Sequence, residues 1–282
     1  MTAPTLAPSA AGGDLQDPRG VFHDMWVIAK RGLIHMKRQP EALSDATIQP
    51  IMFVLLFGYV FGGAIDVPGD GDYREFLMGG IFAQTIVFTA FGVALAIAND
   101  FKNQAVDRFR SLPLAKGAVL GGHAIANLLK TLLPIIIMSI CGLLVGWRMN
   151  GTILETVAGF ALMLAFAFAM IWIGVLLGSA LGTPEGVTGV AFVVLFPMTF
   201  LASTFVPVES MPGPLQVVAQ WNPVTTLADS IRILFDNPRT APAADAPWPS
   251  HHSIAYTLLW AIGIVIVCAP LAIRAYDRSI QR

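Results

Sequence analysis

The stretch Asn99–Gly117, NDFKNQAVDRFRSLPLAKG, is a polar island between two long apolar runs, and its reading decides the fold. Read as a helix, it places Val106, Phe109 and Leu112 at three-residue spacing, which makes one narrow apolar ridge. Lys102, Arg108 and Arg110 surround that ridge, and Asp107 can reach Arg110 one turn on. Pro113 cannot continue the helix, so the ridge ends there. Two readings fit the residues. One is a solvated loop with a few arginines near lipid headgroups. The other is a short amphipathic knob on the cytosolic side, shaped to dock into a cleft on a soluble partner.

The runs on either side show what kind of chain carries the island. Of 282 residues, 55% are hydrophobic and 12% charged, and the mean hydropathy is +0.68. Soluble domains carry about 25% charge, so the composition is that of a polytopic membrane protein. The net charge of -1 points to no polyanionic partner, and no basic stripe with interleaved aromatics suggests nucleic acid. Cys141 and Cys268 both fall inside apolar runs and read as small buried hydrophobes. His251 and His252 are adjacent, and two ligands are too few for a metal site, so no metal is expected.

Apolar runs long enough to cross about 30 Å of hydrocarbon recur along the chain. They fall at Ile48–Ile65, Phe76–Ala98, Ala124–Trp147, Ile153–Leu181, Val187–Val206 and Ser253–Ile273. With the N-terminus inside, thirteen of the seventeen Lys and Arg residues flank the inner face. Only Arg74, Arg148, Arg232 and Arg239 remain outside, a bias that sets both termini in the cytoplasm and the crossings at six. Residues 1–20 read as a disordered tail without the apolar core of a cleaved signal peptide. Residues 21–43 read as a cytosolic interfacial helix, with Phe22, Met25, Trp26, Ala29, Leu33 and Met36 in one stripe and Lys30, Arg31, Lys37 and Arg38 off it. Residues 44–282 make the six-span domain.

Between the last two spans, Leu215–Trp221 and Val224–Phe235 are each too short to cross, and Pro212, Pro214 and Pro223 punctuate them. They read as two short helices at the outer surface that dip into the outer leaflet, where their turns need shelter from lipid. Thr225 or Thr226 is the expected N-cap of the second helix, and Asp229 can pair with Arg232 three residues on.

The chain carries no GxxxxGK[ST], no HExxH and no GxSxG. It therefore does not cradle nucleotide phosphates in a P-loop. Nor does any ionisable residue fall in the centre of the spans as placed, which argues against proton coupling and voltage sensing. Energy for transport would come from elsewhere. Gln84, Thr85, Thr89, Thr199, Ser203 and Thr204 are polar within spans and either line a substrate path or hold helices together. Phe82, Phe88 and Phe200 suit an apolar planar cargo, and equally suit lipid. Gly174, Gly178 and Gly182 repeat at the spacing that allows close helix contact.

Four segments in order resemble the type-2 ABC exporter permeases, and among them the daunorubicin-resistance permease branch: RQPEAL (Arg38–Leu43), FGYVFGGAI (Phe57–Ile65), DRFRSLP (Asp107–Pro113) and NPVTTLADSIRILF (Asn222–Phe235). The match covers nearly all the chain after residue 20. The resemblance implies an interface helix over Val21–Arg38 and short re-entrant outer helices over Glu209–Phe235, with Asn222, Thr225, Asp229 and Arg232 among them. It also implies a coupling helix over Asp100–Leu112 that seats in an ATP-binding subunit through Asp100, Lys102, Val106, Asp107, Arg108, Phe109, Arg110 and Leu112. Gln104 stands where members of the family often carry glycine.

The fold class expected is thus an all-α polytopic membrane protein with six transmembrane helices. The implied function is the permease subunit of an ATP-driven exporter of amphiphilic drugs, lipids or glycolipids. This chain would hold no cofactor; ATP and Mg would sit on two copies of a separate ATP-binding subunit. A second permease subunit, identical or related, and membrane lipids complete the expected partners, in a bacterial inner membrane. The alternatives are a membrane-embedded lipid-processing enzyme, or a channel or scaffold that needs no ATP.

Overall fold

The computed structural model describes residues 48–49, 51–61, 72–102 and 116–281. The expected tail over residues 1–20, the interfacial helix over 21–43 and the ridge from Val106 to Leu112 lie outside the described residues. Among the described residues the regular structure is entirely helical. We number eight helices: α1 (Ile51–Val60), α2 (Tyr73–Lys102), α3 (Lys116–Val145), α4 (Ile153–Leu181), α5 (Pro184–Phe200), α6 (Gly213–Trp221), α7 (Pro223–Leu234) and α8 (Ser253–Gln281). From Leu56 α1 is wound as a π-helix that runs to Phe61.

α4 lies at the centre, with α2 along one side and α8 along the other. Its sequence is apolar all round, as a helix enclosed by neighbours requires. Local chemistry defines its ends. At the start, the Thr152 backbone N–H donates to Glu155 Oε2 (2.8 Å) and the Glu155 N–H donates back to Thr152 Oγ1 (3.3 Å), a reciprocal capping box. At the finish, Gly182 adopts a left-handed conformation (φ 65°) and closes the helix. Thr183 then caps α5, its Oγ1 accepting from the Gly186 N–H, and Pro184 occupies the first turn. Two residues therefore suffice to reverse the chain.

The α2–α4 contact depends on small residues. A Cβ on Gly174 would lie 2.5 Å from the Ala90 carbonyl oxygen, and one on Gly178 would lie 2.6 Å from that of Ala94. Of the three glycines expected to allow close contact, these two do so, while Gly182 ends the helix instead. α2 is as enclosed as α4, with Phe76, Leu77, Met78, Ile81, Phe82, Ala83, Ile86, Val87 and Ala90 all buried in the main core.

Among the described residues, four helices are long and apolar enough to cross a bilayer: α2, Ala124–Val145 of α3, α4 and Ser253–Tyr276 of α8. α1 and α5 are shorter apolar helices. The outward faces of the bundle carry unshielded apolar side chains, among them Leu144 (82% exposed), Val193 (75%) and Ile266 (67%). Such a surface belongs in hydrocarbon, and the molecule is a multi-pass membrane protein. One expected boundary is corrected. Hydropathy places the fifth apolar run at Val187–Val206, but α5 begins at Pro184 and ends at Phe200. The residues from Leu201 to Pro207 are irregular because Ser203 and Thr204 bind elsewhere, as described next.

Candidate functional site

α7 is enclosed by α2, α4 and α8 at the end of the bundle where α2 begins. Val224, Thr225, Thr226, Leu227, Ala228, Ser230, Ile231 and Arg232 are all buried. Arg232, fully buried, is the centre of this cap. Its Nε donates to the Phe76 carbonyl (2.9 Å), its Nη2 to the Ser203 carbonyl (2.7 Å), and its Nη1 to Ser203 Oγ (3.1 Å) and Asp229 Oδ1 (2.8 Å). The Phe76 ring lies 3.6 Å from the guanidinium carbon. A buried charge is costly unless paired and hydrogen-bonded; here one carboxylate, two carbonyls, a hydroxyl and a ring face meet that need. The planar fork of arginine can reach several acceptors at once, which a lysine cannot. The expected Asp229–Arg232 pair therefore exists, and it is one part of a larger knot joining α2, α7 and the residues after α5.

The remaining cap contacts are mostly side chain to backbone. Asn222 Oδ1 accepts from the Val224 N–H (2.9 Å), so Asn222 is the N-cap of α7. The expectation that Thr225 or Thr226 caps the helix is corrected. Both lie inside the helix and bond elsewhere: Thr225 Oγ1 accepts from the Ser203 N–H (3.1 Å), and Thr226 Oγ1 accepts from Thr257 Oγ1 of α8 (3.2 Å). Asn222 Nδ2 also holds the Met198 carbonyl of α5 (2.7 Å). Tyr73 donates its hydroxyl to the Phe205 carbonyl (2.9 Å). The α3–α4 loop is tied in too, since Trp147 Nε1 donates to Asn237 Oδ1 (2.7 Å) and the Asn150 N–H to the Phe235 carbonyl (2.9 Å).

The polar and aromatic residues offered as a substrate path do not form one continuous lining. Phe82 is fully buried between Trp147 and Phe235. Thr85 and Thr89 give their hydroxyls to carbonyls one turn back, Ile81 and Thr85. Thr199 bonds the Leu195 carbonyl and Thr204 the Thr199 carbonyl. Thr204 also packs its backbone against Gly80 so closely that no side chain fits there. Gln84 is buried in α2, and its Nε2 meets no hydrogen-bond partner among the described residues.

Phe88 and Phe200 belong to a different feature. Phe192, Phe196 and Phe200 repeat every fourth residue on α5 and stack nearly parallel, with centroids 4.9 and 5.9 Å apart. Phe200 continues onto Phe205 (5.5 Å), and Phe205 stacks on Phe57 of α1 (4.4 Å), which meets Phe53. Phe88 closes edge-on against Phe196. Phe192 (58%) and Phe200 (49%) are half exposed, so the α5 part of this run is an open aromatic face, while Phe205 is buried where the run reaches α1.

At the far end of α2 the expected coupling residues are described only as far as Asp100 and Lys102. Lys102 Nζ donates to Glu185 Oε1 of α5 at 2.8 Å, with both side chains well exposed. Val106, Asp107, Arg108, Phe109, Arg110 and Leu112 lie outside the described residues. Sequence reasoning missed this tie, the Ser203–Arg232 bond and the aromatic run. The 4-residue repeat of Phe192, Phe196 and Phe200 was available as a signal. Partners far apart in sequence carry no such signal.

The family model described as ABC-2 type transporter matches residues 23–235, from ahead of α1 to the end of α7. The daunorubicin resistance ABC transporter permease protein DrrB1 of Streptomyces coeruleorubidus is 31% identical over 246 residues, 87% of this chain and 83% of that protein. The probable doxorubicin resistance ABC transporter permease protein DrrC of Mycobacterium tuberculosis is 25% identical over 280 residues, 97% of this chain and 95% of its own. The putative transport permease ycf38 of Cyanophora paradoxa is 24% identical over 223 residues, 77% and 75% of the two chains.

Proposed function

This chain belongs to the ABC-2 type transporter family, and on that premise we propose that it is the transmembrane permease subunit of an ATP-driven exporter of amphiphilic drugs, lipids or glycolipids. Two ATP-binding subunits, which hold ATP and Mg, drive a pair of permease subunits, this chain with a second copy or a related one. α1 and α5 complete six crossings with the four long helices; at 17 residues α5 is at the short limit of a span. The chain sits in a bacterial inner membrane with both termini in the cytoplasm. Asp100–Leu112 is the coupling helix, and the Arg232 cap is the outer end.

The observation that carries the cargo class is the aromatic face. Six rings link from Phe192 to Phe53; Phe192, Phe196 and Phe200 stack nearly parallel, and Phe192 and Phe200 are half exposed. Planar apolar molecules stack on such rings at about 0.5–1.5 kcal/mol each beyond simple burial. The drug-resistance names of two relatives point to the same class. A chain lacking a P-loop needs a separate source of energy, and the ridge of the Asn99–Gly117 island supplies a surface for it.

The test is co-expression with a candidate ABC ATP-binding protein from the same organism, co-purification, and ATP hydrolysis in proteoliposomes with and without an anthracycline. Stimulated hydrolysis is expected in the native complex and lost in Phe109→Asp or Arg108→Glu, with membrane insertion unchanged. Normal stimulation in those variants, or full transport by this chain alone, would overturn the reading.

A further inference from the structure

α3 and α4 leave an open groove of about 350 Å³ between them, lined by Leu132, Ile136, Ile140 and Leu143 of α3 and by Phe160 and Leu164 of α4. It is on a different pair of helices from the aromatic run. The one hydroxyl in its wall, Ser139, is spent on the Ile135 carbonyl (2.8 Å), so nothing in the lining calls for water. The groove opens outward, since Ile136 and Ile140 are 52% and 54% exposed. From Leu132 to Leu143 the helix rises about 16 Å, close to the roughly 15 Å of hydrocarbon in one leaflet.

The Leu143 end is charged. Arg148 leans back over it, Nη1 donating to the Leu143 carbonyl (2.7 Å) and to that of Trp147 (2.8 Å). That uses one nitrogen. Among the described residues no carboxylate comes within ion-pair distance of Arg148, and its remaining guanidinium hydrogens find no acceptor. Glu75 lies close enough to feel the charge of Arg148 but beyond ion-pair distance, and it accepts from Asn150 Nδ2 (3.4 Å). An exposed guanidinium fork whose remaining donors are unclaimed among the described residues, at the mouth of a dry, leaflet-deep groove, has the shape and charge of a phosphate site above an acyl chain.

We propose that this groove binds one acyl chain of an anionic phospholipid from the surrounding bilayer, with the lipid phosphate held by Arg148. The site depends on the chain being a membrane protein and not on the direction or energy source of transport, so either conclusion can fail without the other. The full chain, purified in mild detergent, is offered phosphatidylglycerol and phosphatidylcholine at equal concentration, and retained lipid is counted by native mass spectrometry. One phosphatidylglycerol per chain is expected, preferred about tenfold, the scale of one charge-assisted hydrogen bond. Arg148→Gln leaves a folded groove and is expected to bring that preference to near equality. Ser139→Trp fills the groove and is expected to lose both lipids, with chromatographic and circular-dichroism profiles confirming that it folds. A phosphatidylglycerol with a photoreactive acyl chain should label Ile136, Ile140 or Phe160. Equal retention of the two lipids by the native chain, or an undiminished preference in Arg148→Gln, would overturn the proposal. So would cross-linking of those positions to a second copy or to residues 1–47 in place of lipid.

Discussion

α2 is tied to its neighbours by a basic side chain near each end, and the two ties are built in opposite ways. Near its start, the buried Arg232 reaches the Phe76 carbonyl, Ser203 and Asp229 through four hydrogen bonds. At its finish, Lys102 meets Glu185 through one bond, with 58% and 71% of the two side chains exposed. Buried charge cannot leave its partners without stranding several polar groups in a low-dielectric interior. An exposed ion pair competes with water at every moment and exchanges freely. The first tie therefore fixes geometry, and the second can open and close at little cost. In the proposed exporter this suits a rigid outer cap and an inner end that must move with its ATPase.

The sharpest way to break that comparison is Arg232→Ala. It leaves Asp229 and the Phe76 and Ser203 carbonyls without their donor, at about 3–5 kcal/mol. A fall in melting temperature on the order of 10 °C in detergent is expected. Arg232→Lys should recover only a minor part, because a single ammonium cannot span Phe76, Ser203 and Asp229 at once. A wild-type melting temperature in either variant would show that the cap is not held as described.

Next in size is Gly178→Val in α4. A side chain there collides with the Ala94 carbonyl and Ile97, and overpacking costs about 1–3 kcal/mol. Thermal unfolding of the purified variant measures it. The same change at Gly189, which has open space around it, is the control and should be near neutral.

Thr257→Val is a smaller probe of how the cap joins α8. It removes the donor to Thr226 Oγ1 and the contact with Ser230 Oγ, which remains bonded to the Thr226 carbonyl. A loss of about 1 kcal/mol is expected by the same measurement.

The smallest stability effect, and the most informative, is expected at Lys102→Glu. Little change in melting temperature should accompany it, whereas stimulated ATP hydrolysis should fall, and the reversed pair Lys102→Glu with Glu185→Lys should restore it. If the reversed pair fails while the protein folds and assembles, the tie does not carry motion from the inner end to α5.

Much of the architecture is legible in the sequence. The long apolar runs locate α2, α3, α4 and α8 because a bilayer requires that length and composition. Pro212, Pro214 and Pro223 mark the starts of α6 and α7, and Asp229–Arg232 is readable because three residues on a helix is one turn. The errors have physical causes as well. Hydropathy alone carries α5 on to Val206, yet the residues from Leu201 to Pro207 leave the helix, where Ser203 and Thr204 find partners. Thr225 and Thr226 are good caps in isolation, but Asn222 lies at the true first turn. Of the candidate site, the coupling ridge lies outside the described residues, and Thr85, Thr89 and Thr199 turned to their own helices because a hydroxyl in hydrocarbon takes the nearest carbonyl.

Chain order and local chemistry alone thus determined which segments are helical, where most of them stop, and that they belong in lipid, since periodicity, caps and hydropathy act over neighbouring residues. Only the packed structure decided that Ser203 serves Arg232, that rings of α5 and α1 meet through Phe205, and that α3 and α4 part to leave a groove. Each of those unites residues far apart along the chain, and their meeting is a property of how the helices are stacked, which no short-range pattern encodes.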